Sequence, residues 1–197
     1  RVSGGMALKQ EVVNLTFASS VASGFYDLDH SRIYNGAGGL ATATGDVKGG
    51  FVSAEARIEA VFEAHGFYAK PKAALGISHV WQNAFTEQGT GGFNWHTNAI
   101  THTAVTARPS FEFGHAFQWG TSAAVAYLRA GLTAELTNPD VSVTTRLAGA
   151  GAGLGNLDLN VGNDRFTGDL AAGLSVDVSE RFNLSVLGQT SFSGSSY

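Results

Sequence analysis

The stretch VSAEARIEAVFEA, residues 52–64, decides the fold. Its Ala, Glu and Arg favour a helix, and Glu55, Glu59 and Glu63 stand four apart, on one helical face. Like charges at that spacing repel one another on a helix. A second period runs through the same residues. Val52, Ala54, Ala56, Ile58, Ala60 and Phe62 alternate with Ser53, Glu55, Arg57, Glu59 and Glu63, and only Val61 interrupts them. Alternation by two marks a strand with one apolar face.

The rest of the chain makes the choice. In TAVTARPSFEF (103–113), Val105, Ala107, Pro109, Phe111 and Phe113 alternate with Thr106, Arg108, Ser110 and Glu112. In AAVAYLRAGLTAEL (123–136), the Ala and Leu at even positions alternate with Tyr127, Arg129, Thr133 and Glu135. DLAAGLSVDV (169–178) repeats the pattern, and FNLSVLGQT (182–190) gives a further strand with Leu184 and Val186 outward. Weaker candidates lie at 12–24, 32–47, 67–81, 93–101 and 141–149. Turn-like AHG, EQGTGG, TNPD, LGN, GND and SER separate these runs. The pattern predicts an all-β, antiparallel fold of about nine to eleven readable strands, with residues 52–64 among them and no long helix. It shows no domain boundary, so 1–197 reads as one domain.

Composition narrows the class. A net charge of -4 leaves no basic surface for nucleic acid. The absence of cysteine excludes disulfides and thiolate chemistry. No apolar run reaches the about 18 residues of a membrane helix. The polar, glycine-containing opening after Arg1 has no signal-peptide pattern, so the chain reads as a mature protein or an internal piece of one. Mean hydropathy of +0.03 suits a transmembrane β-barrel of the outer-membrane type, in which every second strand residue meets lipid.

Two features favour such a barrel over a soluble sandwich. The polar face carries charges near strand centres: Glu55, Arg57, Glu59, Arg108, Glu112, Arg129 and Glu135. These are expected to face a lumen, where they either keep it wet and hold what passes through it, or only brace the wall. The opposite face is rich in Ala, Leu and Val, which suits lipid better than a jigsaw core. Aromatics near strand ends, among them Phe62, Tyr68, Trp81, Trp95, Phe113 and Trp119, are expected at the membrane interfaces. Pro71 and Pro109 should mark a strand start or a bulge, because a closed barrel has no edge for a proline.

Chemistry finds little foothold. His96 and His102 are six apart, which sets them on one face of a strand, but no third ligand is near. There is no G-x-S-x-G elbow, and the glycine-rich GAGGLATATGDVKGG lacks the spacing of a phosphate loop and reads as a hairpin rim. Neither a cofactor, a metal nor an enzymatic activity is expected.

Residues 31–92, SRIYNGAGGLATATGDVKGGFVSAEARIEAVFEAHGFYAKPKAALGISHVWQNAFTEQGTGG, resemble the translocator β-domain of bacterial autotransporters, the type V secretion systems. The resemblance rests on Arg32 in a strand, the Ala43–Asp46 turn, the inward Glu55, the Pro71–Leu75 strand and a Glu-x-Gly turn at Glu87–Gly89. VTTRLAGAGAG (143–153) and residues 166–197 are similar to later strands of that domain. The resemblance implies a twelve-stranded outer-membrane barrel that exports and anchors an N-terminal passenger. Its implied partners are that passenger, the barrel-assembly machinery, and outer-membrane lipid with lipopolysaccharide. The Asn-Asn junction that some members cleave in themselves is absent from this sequence. The passenger, the linker and the closing C-terminal strand are expected to lie outside this chain. A small outer-membrane porin is the alternative, and a soluble β-sandwich adhesin a further one.

Overall fold

The computed structural model describes residues 1–36, 39–149, 155–179 and 181–194. The deciding stretch is strand. It belongs to β3 (Gly39–Ala60) and the short β4 (Phe62–Ala64). Val61, which interrupts the alternation, is the residue left out of both strands, and its N–H donates to the Asn14 carbonyl.

Eight long antiparallel strands form one wall. They are β1 (Val2–Val12), β2 (Leu15–Gly36), β3, β5 (Phe67–Gln82), β8 (Ile100–Trp119), β9 (Ser122–Glu135), β12 (Phe166–Ser179) and β13 (Phe182–Ser193), paired in that order. The sheet curls as part of a barrel and is open, with β1 and β13 each paired on one side. With β4 paired onto β5 the wall has nine strands, within the nine to eleven that the alternation suggests, although the weaker candidates do not each map onto one strand. The candidate at 12–24 straddles the turn between β1 and β2, that at 32–47 straddles the tip of the β2–β3 hairpin, and that at 93–101 is split by a break.

One end of the wall has tight turns. β1 meets β2 through Val13 and Asn14, and β8 meets β9 through Gly120 and Thr121. β4 meets β5 through His65 and Gly66, at φ +50° and +81°, the paired positive φ of a type I′ hairpin turn. At the other end, residues 83–99 and 136–165 are long excursions. They contribute β6 (Phe85–Thr86), β7 (Trp95–Thr97), β10 (Val141–Leu147) and β11 (Leu157–Val161), a second sheet ordered β6-β7-β10-β11. We call it the collar. Short turns at one end and long loops at the other match the periplasmic and outer ends of outer-membrane barrels.

The two faces differ as the alternation requires. Along β3, odd residues are half-buried or buried and even ones mostly exposed. The less exposed, polar face is concave. The convex face carries Met6, Leu8, Leu75, Leu128 and Val186, all more than half exposed. Among the described residues the buried apolar side chains are alanines: Ala43, Ala74, Ala124, Ala134 and Ala171. Among the described residues no packed core stabilises this sheet; its apolar surface requires lipid. From Ala69 to His79, ten residues of tilted strand span about 25 Å, the height of the expected apolar band.

The prolines obey the ladder in different ways. Pro71 falls where the β4–β5 and β3–β5 ladders both stop, between Ala69 and Lys72. Pro109 corrects the expectation of a start or bulge. It lies in the middle of β8, and the β8–β9 ladder skips Arg108 and Pro109, then resumes at Ser110–Gly131 in unchanged register. A missing N–H at 109 produces this gap, because proline has none to give to Leu132.

Candidate functional site

Strand register assembles the concave face. Directly paired residues share a face of a sheet. Lys9, Ala18, Arg57, Ala74 and Arg108 form one row across β1, β2, β3, β5 and β8. Ala7, Ser20, Glu55, Gly76, Thr106 and Glu135 form the next row toward the collar. Glu11, Thr16, Glu59, Lys72, Ser110, Gly131 and Asp169 form the next row toward the tight turns. A positive row therefore lies between two mainly acidic ones: Glu11 stands two residues from Lys9 and Glu55 and Glu59 two residues from Arg57 on the same strands, while Glu135 lies diagonally from Arg108.

All seven charged residues of the sequence reading lie on this face. Arg108 donates to Glu55 across the whole width of β5, passing Gly76, where a Cβ would crowd the Thr106 hydroxyl. Glu112 accepts from the Tyr68 hydroxyl at 2.9 Å and lies 3.8 Å from Lys70. Arg129 stands directly across from Glu112 in register. Glu135 lies 3.6 Å from His102 and accepts from the Thr137 hydroxyl at 3.2 Å. Arg57 buries an Nε that has no hydrogen-bond partner. A cavity of about 330 Å³ opens here, between Glu55, Lys72, Arg108, Thr133, Asp169 and Ser191.

The aromatics divide. Trp81 lies at the collar-side rim of the convex face, edge-on to Phe25 at 5.8 Å. Phe113 lies toward the opposite rim, stacked on Phe67 at 5.7 Å, with Phe62 and Trp119 exposed at the same end. Tyr68 corrects the sequence reading. It has the parity of Lys70 and Lys72, so its ring turns to the concave face, over Gly114. Closeness to a turn does not set a face; parity does. Trp95 lies in the collar, beyond the level of Trp81. The sequence reading omits His115, which stacks on Phe67 at 4.1 Å and on Phe117 at 6.0 Å. His96 and His102 are not on one strand: the break at 98–99 puts His96 in β7 and His102 in β8. Among the described residues no three His, Asp or Glu are grouped to hold a metal ion.

The most buried charge lies beyond the apolar band. Glu87 is 2 % exposed. Arg32 grips it with Nε at 3.1 Å and one terminal nitrogen at 2.7 Å, and that nitrogen also reaches the Phe93 carbonyl. His30 Nε2 is 3.1 Å away and the Trp95 N–H donates at 2.8 Å. The Arg32 bonds outweigh burial and hold the Glu87 carboxyl at about 2. Glu87 crosses β3 to reach β2, over the small Ala43 and Gly45. Gly89 completes this turn at φ +108°, where a Cβ would run into the Thr42 carbonyl. The resemblance names Arg32 and Glu87 separately; the fold joins them across 55 residues.

A family model, the autotransporter beta-domain, matches residues 3–189. Among solved structures, the translocator domain of autotransporter NalP from Neisseria meningitidis is similar with a TM-score of 0.55. Identity is 16%, over 96% of this chain and 64% of that one. The chain thus spans less than two thirds of that structure, and the likeness concerns the fold. No curated protein matches.

Proposed function

This chain belongs to the autotransporter β-domain family, and on that premise we propose that its concave face lines the path by which a passenger polypeptide leaves the cell. Family membership puts the chain in the bacterial outer membrane as a translocator barrel. One observation carries the proposal. A single unbroken register across the wall separates a charged concave face from an apolar convex one. The charged residues Glu55, Arg57, Glu59, Arg108, Glu112, Arg129 and Glu135 would meet the moving chain, and the passenger would remain anchored through the wall. The chain's part is passage, not catalysis. Contact with lipopolysaccharide and insertion by the barrel-assembly machinery belong to the same reading.

This chain contains no cysteine, which allows a direct test. In the full-length protein, single cysteines are placed on the concave face (Ser78→Cys, Thr106→Cys) or the convex face (Leu75→Cys, Ile77→Cys). A further cysteine is placed in a passenger stalled during export. Cross-links are expected at Ser78 and Thr106 and not at Leu75 or Ile77. If the concave positions stay unlinked while the purified protein conducts steadily in planar bilayers, the small-channel reading replaces this one.

A further inference from the structure

Four wall strands stop along one stepped line, with β9 and β12 stopping about six residues short of the level of β5 and β8. β5 ends at Gln82, paired with Ile100 at the start of β8. β9 ends at Glu135, and Ala134 pairs with Phe166 at the start of β12. Beyond that line the chain resumes as the collar, whose order β6-β7-β10-β11 repeats β5-β8-β9-β12. The β5–β8 register runs on unchanged into β6–β7 after a gap of two residues in each strand, but the β9–β12 ladder does not continue. The β9–β12 register would bring Leu159 opposite Val141, whereas the collar has Val161 there, a slip of two residues. β2 and β3 cross the line unbroken, in one register from Leu15–Ala60 to Gly36–Gly39.

The collar thus joins the wall through residues 83–84, 98–99, 136–140 and 162–165, and leans on the β2–β3 hairpin. Several contacts hold it there: His30 is edge-on to Phe85 at 5.9 Å, and Arg32 donates to the Phe93 carbonyl at 2.9 Å. Thr44 and Gln88 exchange backbone hydrogen bonds of 2.9 and 2.8 Å. Tyr34 stacks on Phe93 at 4.7 Å. Glu87 bonds to Arg32 and His30.

We propose that the collar is a hinged unit, latched to the β2–β3 hairpin by Glu87, that sets the width of the barrel mouth. The mouth as an exit rests on the export reading; the hinge and latch do not. Breaks in four neighbouring strands concentrate compliance at the base of the collar, because interrupted ladders open at lower free energy than continuous ones. Arg32 and His30 remain partly exposed, so water can take both when the carboxylate leaves. Opening then costs the Glu87 clamp, the Arg32 bond to the Phe93 carbonyl, one pair of backbone bonds and two aromatic contacts, while the wall stays paired.

The test is hydrogen exchange on the whole chain in lipid nanodiscs, without a passenger. Glu87→Ala should speed exchange in β6, β7, β10 and β11 by about tenfold or more, with β5, β8, β9 and β12 unchanged. A Thr44→Cys/Gln88→Cys pair provides a lock, since directly opposed, hydrogen-bonded strand residues have Cα atoms about 5.5 Å apart, within disulfide range. Oxidising it in the Glu87→Ala background should return the collar to wild-type exchange, and reducing it should release the collar again. Unchanged collar exchange in Glu87→Ala overturns the latch. Acceleration spreading equally into the wall overturns the hinge. If Glu87→Ala does not fold, the cysteine pair alone decides: oxidation must slow collar exchange, and no effect refutes the proposal. A barrel that exports nothing but behaves so keeps its hinge and loses only the export reading.

Discussion

Placing an arginine at Leu75 tests which face meets lipid. Leu75 is 60 % exposed on the convex face of β5, paired with Ala56 and Ala107. Ala69 and His79, at the two rims of the band, lie six and four residues away, which along a tilted strand is about 15 and 10 Å. An arginine side chain cannot snorkel that far, so Leu75→Arg carries the full midplane penalty of about 2–4 kcal/mol. Ser78→Arg is the control. Ser78 lies on the concave face opposite Ser53 and Ala104, where a cation stays in water, and the change should cost no more than about 0.5 kcal/mol. Guanidinium unfolding from phospholipid vesicles, followed by tryptophan fluorescence, measures both. Equal losses would refute the lipid-facing assignment, and a larger loss for Ser78→Arg would mean the register is slipped by one residue.

Acid should loosen the collar. Glu87 is held at about 2 against an ordinary 4.5, so its stabilisation is present above 4.5 and disappears as pH falls toward 2. The difference corresponds to about 3 kcal/mol, and protease cleavage within 85–97 should rise between pH 5 and 2.5; constant cleavage argues against the clamp. Val13, at φ +56° in an exposed turn, holds a left-handed conformation that a β-branched residue adopts poorly. Val13→Asn should stabilise the β1–β2 hairpin by about 1 kcal/mol in the same unfolding assay. Pro109→Ala should restore an N–H facing Leu132 and raise the unfolding midpoint, by about 1 kcal/mol for the added hydrogen bond. Gly89→Ala should speed collar exchange as Glu87→Ala does, because both the positive φ and the Thr42 carbonyl oppose a Cβ.

The sequence revealed most where one residue in two met lipid. In β3, β8, β9 and β12 the alternation shows the strand, the charged face and even the break at Val61. It fails where that contrast fails. The outer halves of β2 and β3 lie beyond the band, with Asp27, Asp29, Asp46 and Lys48 on the convex face, so two strands of 22 residues look like shorter, weaker ones. The collar is only half legible: the weak candidates at 93–101 and 141–149 fall on β7 and β10, whereas β6 and β11 are too short to stand out as strands. The Glu87 clamp has no local signal at all: its partners are 55 and 57 residues away in sequence. Tyr68 was readable, since parity with Lys70 and Lys72 already assigns its face.

The charge rows of the concave face also bear on transport speed. Two residues of strand separate one row from the next, so an object sliding along the axis meets a potential that reverses sign about every 5–7 Å. An acidic side chain drawn to the row of Lys9, Arg57 and Arg108 is pushed back by Glu55 and Glu135 ahead and by Glu59 and Asp169 behind. A basic one feels the inverse. Neither finds a deep well, and an extended chain several residues long spans opposite signs at once, so its gains and losses cancel. Along the proposed export path such a surface would be slippery in the electrostatic sense: wet enough to admit charged cargo, and too finely corrugated to hold it.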